Sequence, residues 1–321
     1  MPYLIPPSAL TVEVTRGASV ESRHFVHAVL MNGNEELQAV YGDAARLTFP
    51  RSTLKPLQTI ALIESGAAEA YNLSDAEIAL ACASHSGEAQ HVAAVAKWLK
   101  RLGLDETALE CGAHSPYGEP GKAGTVLHNN CSGKHAGMLT LALFLKVPLK
   151  GYTNPEHPVQ QEILKKISAM CGAELTPACC GIDGCSAPNP AMPLENMARG
   201  FAKLMQQKKP AHKRIFEAMT NYPQLIGGQE RLDTILMQAA EGKILSKTGA
   251  EGSYIALIPE KDTIIALKAE DGAGRAAQAA LYALLEKHGL ANAKVLSAIR
   301  PLALPVLKNW RNIETGLIRY I

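Results

Sequence analysis

The chain has 321 residues, 47% of them hydrophobic and 19% charged, with a formal net charge of +2. That length buries a large core in one or two domains, and near-neutral charge without a dense Lys/Arg stripe excludes a nucleic-acid footprint. The longest apolar stretch, residues 138–145, is too short to cross a bilayer, so no membrane association is expected.

Residues 1–7 lack a basic segment followed by an apolar run, so no secretory leader is expected. Residues 11–16 and 24–41 read as Val- and Phe-containing strands, with Asn32-Gly33-Asn34 as a hairpin turn. Arg51-Ser52-Thr53-Leu54-Lys55-Pro56 then opens a helical run to Glu64, ended by Ser65-Gly66. Residues three apart share a helix face, which would bring the Ser52 hydroxyl to the Lys55 amine. Serine is a weak nucleophile until a base takes its proton, and a desolvated lysine can be that base.

Ser74-Asp75-Ala76-Glu77 is a capping-box pattern opening a helix to about residue 83. Ser84-His85-Ser86-Gly87 interrupts the pattern, and helical periodicity resumes over 88–102. Ser84 is thus a second candidate hydroxyl. Residues 111–130 are turn-rich and lead to Cys131-Ser132-Gly133-Lys134-His135, which opens a long apolar helix. A thiol at a helix N-terminus is expected to have a lowered pKa. Cys185, in the irregular segment 176–193, is the natural second soft ligand. Two thiolates, a nitrogen donor and an open position suit Zn²⁺, with His135 as the conventional nitrogen and Lys134 as an alternative that must first lose its proton. Seven cysteines, an odd number that includes Cys179 and Cys180, fit free thiols in a reducing, cytoplasmic compartment.

Residues 157–171 read as an amphipathic helix, and 194–240 as mostly helical. Strands are expected at 243–246, 253–259 and 263–268, then a helix over 274–288. Lys247-Thr248-Gly249 lies at a strand end, where backbone N–H groups and the lysine charge could meet an oxyanion and a substrate carboxylate. Lys268 closes the next strand as a possible partner for Ser84. Ser-x-x-Lys with Lys-Thr-Gly occurs in penicillin-binding proteins and class A β-lactamases, although no Ser-Asp-Asn is present. The fold expected is α+β: an antiparallel sheet built from both termini and flanked by helices, plus a helical lobe. One domain over 1–321 would then have a sheet lobe (1–70 and 241–321) and a mainly helical lobe (71–240), with a cleft between them.

Taken together, Arg51–Pro56, Cys82-Ala-Ser-His-Ser-Gly-Glu88, His128-Asn-Asn-Cys-Ser-Gly-Lys-His135, Gly181-Ile-Asp-Gly-Cys-Ser186, Lys247-Thr-Gly-Ala-Glu-Gly252 and Ala266-Leu-Lys268 resemble the Rhizobium etli-type (class 3, asparaginase II) L-asparaginases. The resemblance implies a fold like serine β-lactamases and penicillin-binding proteins, hydrolysis of L-asparagine to L-aspartate and ammonia, and a homodimer. It also implies two pairs, Ser52 with Lys55 and Ser84 with Lys268. Zinc would be held by Cys131, Lys134 and Cys185, which favours Lys134 over His135. Arg51, His85, His135, Asp183, Lys247, Thr248 and Gly249 are expected around the substrate. Readings from other classes are a β-lactam-binding acyl-transfer protein, a zinc-stabilised binding protein and a Cys131/His135 thiol amidase.

Overall fold

The computed structural model describes residues 6, 8–119 and 121–321. Residues 1–5 and 7, part of the stretch read as lacking a leader, and Pro120 of the turn-rich stretch lie outside the described residues.

The N-terminal strands are β1 (Leu10–Arg16), β2 (Ser19–Met31) and β3 (Leu37–Tyr41). β2 begins at Ser19 rather than 24. Its first residues are polar and largely exposed, so they carry no apolar signal, and pairing with β1 (Val14↔Ser22, Arg16↔Ser19) holds them extended. The C-terminal strands are β4 (Leu245–Thr248), β5 (Ser253–Ile258), β6 (Thr263–Ala269), β7 (Val306–Lys308) and β8 (Glu314–Tyr320). They join the first three in one antiparallel sheet of order β7-β8-β1-β2-β6-β5-β4, with β3 on the second half of β2. Val12 pairs with Tyr320 and Leu267 with Ala28, so both ends of the sequence meet in one sheet, as expected.

The sheet is apolar on both faces. In β5 and β6, Ile255, Leu257, Ile264 and Ala266 point into one core cluster, while Tyr254, Ala256, Ile265 and Leu267 point into another. This is why these strands read as continuous apolar runs rather than as alternation. The first cluster is filled by α1 (Lys55–Glu64), α2 (Asp75–Cys82), α3 (Ala89–Arg101), α4 (Ser132–Leu145), α5 (Pro158–Cys171), α6 (Leu194–Met205) and α7 (Pro210–Asn221). The second is covered by α9 (Gly274–Lys287) and α10 (Ala293–Ala303), with α8 (Leu232–Ala239) reaching both. The molecule is therefore α+β with the sheet as its middle layer.

Local chemistry explains several boundaries. Ser74 accepts from the Glu77 N–H while the Glu77 carboxylate accepts from Ser74 N–H, closing the capping box that starts α2. The segment 176–193 is less irregular than expected, because Cys180–Ile182 and Pro188–Pro190 pair as a small hairpin. Helix α10 and strands β7 and β8 lie where no element is expected from the sequence. Pro301 inside α10 and Pro305 after it punctuate the pattern that would otherwise mark them. Among the described residues no helix is long and apolar enough to cross a membrane.

Candidate active site

The site starts from a tight turn. Residues Arg51–Leu54 form a single 3-10 turn, and α1 begins only at Lys55. Arg51 sits in the left-handed region at φ +54°, a costly conformation for any residue with a Cβ. Asn189 holds it there: its Oδ1 accepts from the Arg51 N–H at 3.2 Å and its Nδ2 donates to the Arg51 carbonyl at 3.3 Å. The Arg51 guanidinium donates twice to Asp183 Oδ1, at 3.0 and 2.8 Å. Gly249, at the end of β4, lets the strand close on this turn, since a Cβ there would lie 2.7 Å from the Pro50 carbonyl oxygen.

The Lys55 amine does not meet the Ser52 hydroxyl, because its partners lie across the chain at residues 83, 84 and 130. It points inward, nearly inaccessible, and donates to the Ala83 carbonyl, to Ser84 Oγ at 2.9 Å and to the Asn130 carbonyl at 3.3 Å. Among the described residues the Ser52 hydroxyl, half-buried, has no hydrogen-bond partner. Ser84 is placed by the break after α2, where its N–H donates to the Ile226 carbonyl at 2.9 Å. A protonated Lys55 can donate to all three acceptors. A neutral amine has two hydrogens for the two carbonyls and a lone pair for the Ser84 hydroxyl. The same cradle therefore serves both states without moving a heavy atom, as a general base requires.

Helix α4 and the 181–187 loop bring Cys131, Lys134 and Cys185 together in the interior. Lys134 Nζ lies 2.9 Å from Cys185 Sγ. Sharing a proton with the Cys131 thiol, helped by the Lys134 ammonium, holds the Cys185 pKa far below the usual thiol value. The same sharing, together with burial, drives Cys131 well above it. Burial and the neighbouring Cys185 sulfur thus work against the lowering expected of a thiol at a helix end. Burial opposes the Lys134 charge, but the two sulfurs more than offset it and its pKa is raised. His135 Nδ1 bonds the Tyr152 hydroxyl at 2.6 Å, and that oxygen accepts from the Glu110 N–H at 2.9 Å. The other ring nitrogen, Nε2, is a buried atom with no hydrogen-bond partner among the described residues. Nε2 is nonetheless close enough to Cys185 for each to bias the other's ionisation.

Two sulfurs and an amine converging in a dry pocket fit a Zn²⁺ donor set with one position left open. Tetrahedral bonds of about 2.3 Å to sulfur and 2.0 Å to nitrogen separate two ligands by roughly 3.5 Å, so the Lys134–Cys185 contact would open by about half an ångström. Lys134 would also lose its proton.

Lys247 is held in the interior. Its amine is fully buried, 3.8 Å from Asp233 Oδ2, and donates to the Thr248 carbonyl at 2.7 Å. Burial is the main reason its pKa falls to about 7. Asp233 in turn accepts from the Thr248 N–H at 2.9 Å, from Ser246 Oγ at 3.1 Å and from the Tyr254 hydroxyl. His85 is likewise interior: Nδ1 accepts from the Gly87 N–H at 3.2 Å, so Nε2 donates to Ser132 Oγ at 3.0 Å. Its ring stacks on His91 and burial holds it neutral. Lys268 is half-buried, donates to the Ala269 carbonyl rather than to Ser84, and has a lowered pKa, chiefly from burial and then from Arg46.

Lys268, Arg51 and Asp183 line a cavity of about 570 Å³, together with Asn189 and Glu251. Leu47, Phe49 and Ile182 form its apolar lip, 59%, 44% and 81% exposed. Ser84 and Lys55 are not in its lining and lie buried. A second cavity, of about 320 Å³, is lined by residues from 239–244, 258–261 and 289–295 and includes none of the motif residues. Asn189, Tyr152 and Asp233 were missed by sequence reasoning. Each acts through a partner distant in the sequence, and no local pattern marks it.

A family model described as L-asparaginase II matches residues 12–320. No curated protein matches this sequence. Solved structures similar to it include a β-lactamase from Mycobacterium bovis, at 12% identity and TM-score 0.40, over 76% of this chain and 86% of that one. Another is Mglu in its native form, at 14% identity and TM-score 0.44, over 87% of this chain and 64% of that one. Both likenesses are distant, and the chemistry of the site stands on its own geometry.

Proposed function

We propose, on the premise that this chain belongs to the L-asparaginase II family and is a hydrolase acting on amides, that it converts L-asparagine to L-aspartate and ammonia by serine–lysine chemistry. The observation that carries this reading is the Lys55 amine, 2.9 Å from Ser84 Oγ and otherwise committed to two carbonyls. Neutral Lys55 takes the Ser84 proton as Oγ attacks the side-chain amide carbon. The resulting ammonium gives that proton to the departing nitrogen, ammonia leaves, and water cleaves the ester by the reverse transfer. Spacing alone favoured Ser52 as the nucleophile; the geometry favours Ser84. Ser52 and Lys268 are the second hydroxyl and amine of the site, and Arg51 with Asp183 presents fixed charge to the zwitterionic end of the substrate.

Cys131, Lys134 and Cys185 would hold Zn²⁺, which when bound neutralises the thiolates and ties the Asp183-bearing loop to α4. The test is ammonia release from L-asparagine by the purified protein, with L-glutamine alongside. Strong release from asparagine is expected. No release from either substrate by folded protein overturns the reading.

A further inference from the structure

All seven cysteines are free thiols; five are buried, and Cys179 and Cys180 alone are partly exposed. Access therefore singles out this adjacent pair, and neither residue takes part in the proposed amide hydrolysis or belongs to the Cys131–Lys134–Cys185 cluster. Disulfides and oxidants react with a thiolate rather than a thiol. What decides between the two neighbours is which sulfur is held as an anion.

The backbone makes them unlike. Pro177 keeps Thr176 extended, at φ −123° and ψ 166°, and the single turn Pro177–Cys179 folds residue 179 back over it. The Cys179 N–H donates to the Thr176 carbonyl at 2.9 Å. The Thr176 hydroxyl lies 3.6 Å from Cys179 Sγ, and with the Thr176 N–H it lowers that thiol's pKa. Cys180 has the opposite arrangement. Its thiol donates to the Thr176 carbonyl at 3.6 Å, a bond that needs the proton in place. It also lines an apolar pocket with Ile163, Leu164, Ile167, Pro188 and Pro190, and burial pushes its pKa up to about 11. One threonine thus offers donors to one sulfur and an acceptor to the other. Cys185, whose pKa is also depressed, is buried beyond the reach of a bulky reagent.

We infer that Cys179 is a modification site that takes small-molecule disulfides of the glutathione type, with Cys180 beside it remaining a free thiol. The Cys179 thiolate attacks one sulfur of the disulfide, a new S–S bond forms as the old one breaks, and the departing thiolate takes a proton from water. Cys180 is badly placed to displace the adduct. Adjacent Cα atoms stand about 3.8 Å apart, short of the roughly 4.4–6.8 Å that a disulfide spans. The mixed disulfide therefore persists. It stands at the foot of the hairpin that carries Asp183 and Asn189, where the Ala191 N–H ties the Cys179 carbonyl at 2.9 Å.

The experiment incubates the folded protein with oxidised glutathione over a pH series and maps the adduct by peptide fragmentation. One glutathionyl group per chain is expected, on Cys179, retained in Cys180→Ser and absent from Cys179→Ser. Thr176→Val removes the hydroxyl donor and should move the midpoint of the rate profile upward, whereas Thr176→Ser should leave it in place. For each pH unit of that movement the thiolate fraction at neutral pH falls about tenfold. Greater nucleophilicity of the more basic thiolate restores part of this, leaving a slowing of roughly threefold. Circular dichroism checks that each variant is folded. First labelling at Cys180, Cys131 or Cys185 overturns the inference, as does a Cys179–Cys180 disulfide as the product. No adduct on folded wild-type protein overturns it too, and so does a Thr176→Val profile that coincides with wild type.

Discussion

Lys55 is a lysine whose surroundings accept either protonation state, and that makes the serine beside it the telling substitution. Ser84→Ala should lower kcat by about 10³–10⁴ with KM little changed, because the group acts only in the transition state. Ser52→Ala should cost less; the opposite order in steady-state kinetics would return the nucleophile to Ser52. Lys247 makes a separate prediction through stability. Its folded pKa of about 7 lies below the ~10.4 of an unfolded lysine, so between those values the unfolded state binds the extra proton. Its contribution to stability is then complete above ~10.4 and is lost as pH falls towards 7, by up to ~1.4 kcal/mol per pH unit. Urea unfolding from pH 7 to 9.5 should show that slope, and Lys247→Met should flatten it. Lys55 and Ser84 were both legible as chemistry, but their pairing was not. Spacing sees only neighbours three or four apart, whereas Lys55 finds its hydroxyl 29 residues on. The Lys247 environment was hidden for a related reason, since nothing near it in the sequence announces Asp233.

Among the elements, those with their own local signals were read well. The Ser74 capping box starts α2 where expected, and the helices over 157–171 and 274–288 differ from expectation by a residue at an end. The 3-10 turn at Arg51 has no such signal, because Asn189 and the end of β4 impose it from outside. Gly249 is the residue that lets them close. Gly249→Ala would press a methyl to 2.7 Å from the Pro50 carbonyl and 3.1 Å from Thr53 Cγ2. Overpacking of this kind costs ~1–3 kcal/mol. A displaced turn should also cut kcat/KM more than tenfold, since a ~1 Å misplacement can cost ~10²-fold. Calorimetry and kinetics on one variant check both parts; full activity at a lowered Tm would separate the turn from the chemistry.

At the scale of the molecule, the expectation of one sheet drawn from both ends holds because its central strands are apolar on both faces and need cover on each. Strand β8, between β1 and the short edge strand β7, is less obvious. It is held through Glu13, which is buried yet bonded by Arg23 at 3.0 Å and Arg319 at 2.7 Å. Removing residues 314–321 strips β1 of one of its two partners and Glu13 of one cation. An unpaired strand edge and a half-compensated buried carboxylate should lower Tm markedly and promote aggregation. Size-exclusion chromatography and thermal unfolding of the truncated protein test this, and an unchanged monodisperse profile would show β8 to be dispensable.

The long gap between β2 and its partner β6 also governs how the protein is made. Residues 26–31 of β2 are buried between flanking strands in the finished sheet, and one flank is β6. At ~5–20 residues per second, synthesis from residue 32 to 262 takes roughly 10–50 s. For that interval the nascent polypeptide bears an apolar strand with one side open. It is expected to need a chaperone there, and the intervening helices can pack together but cannot close the edge.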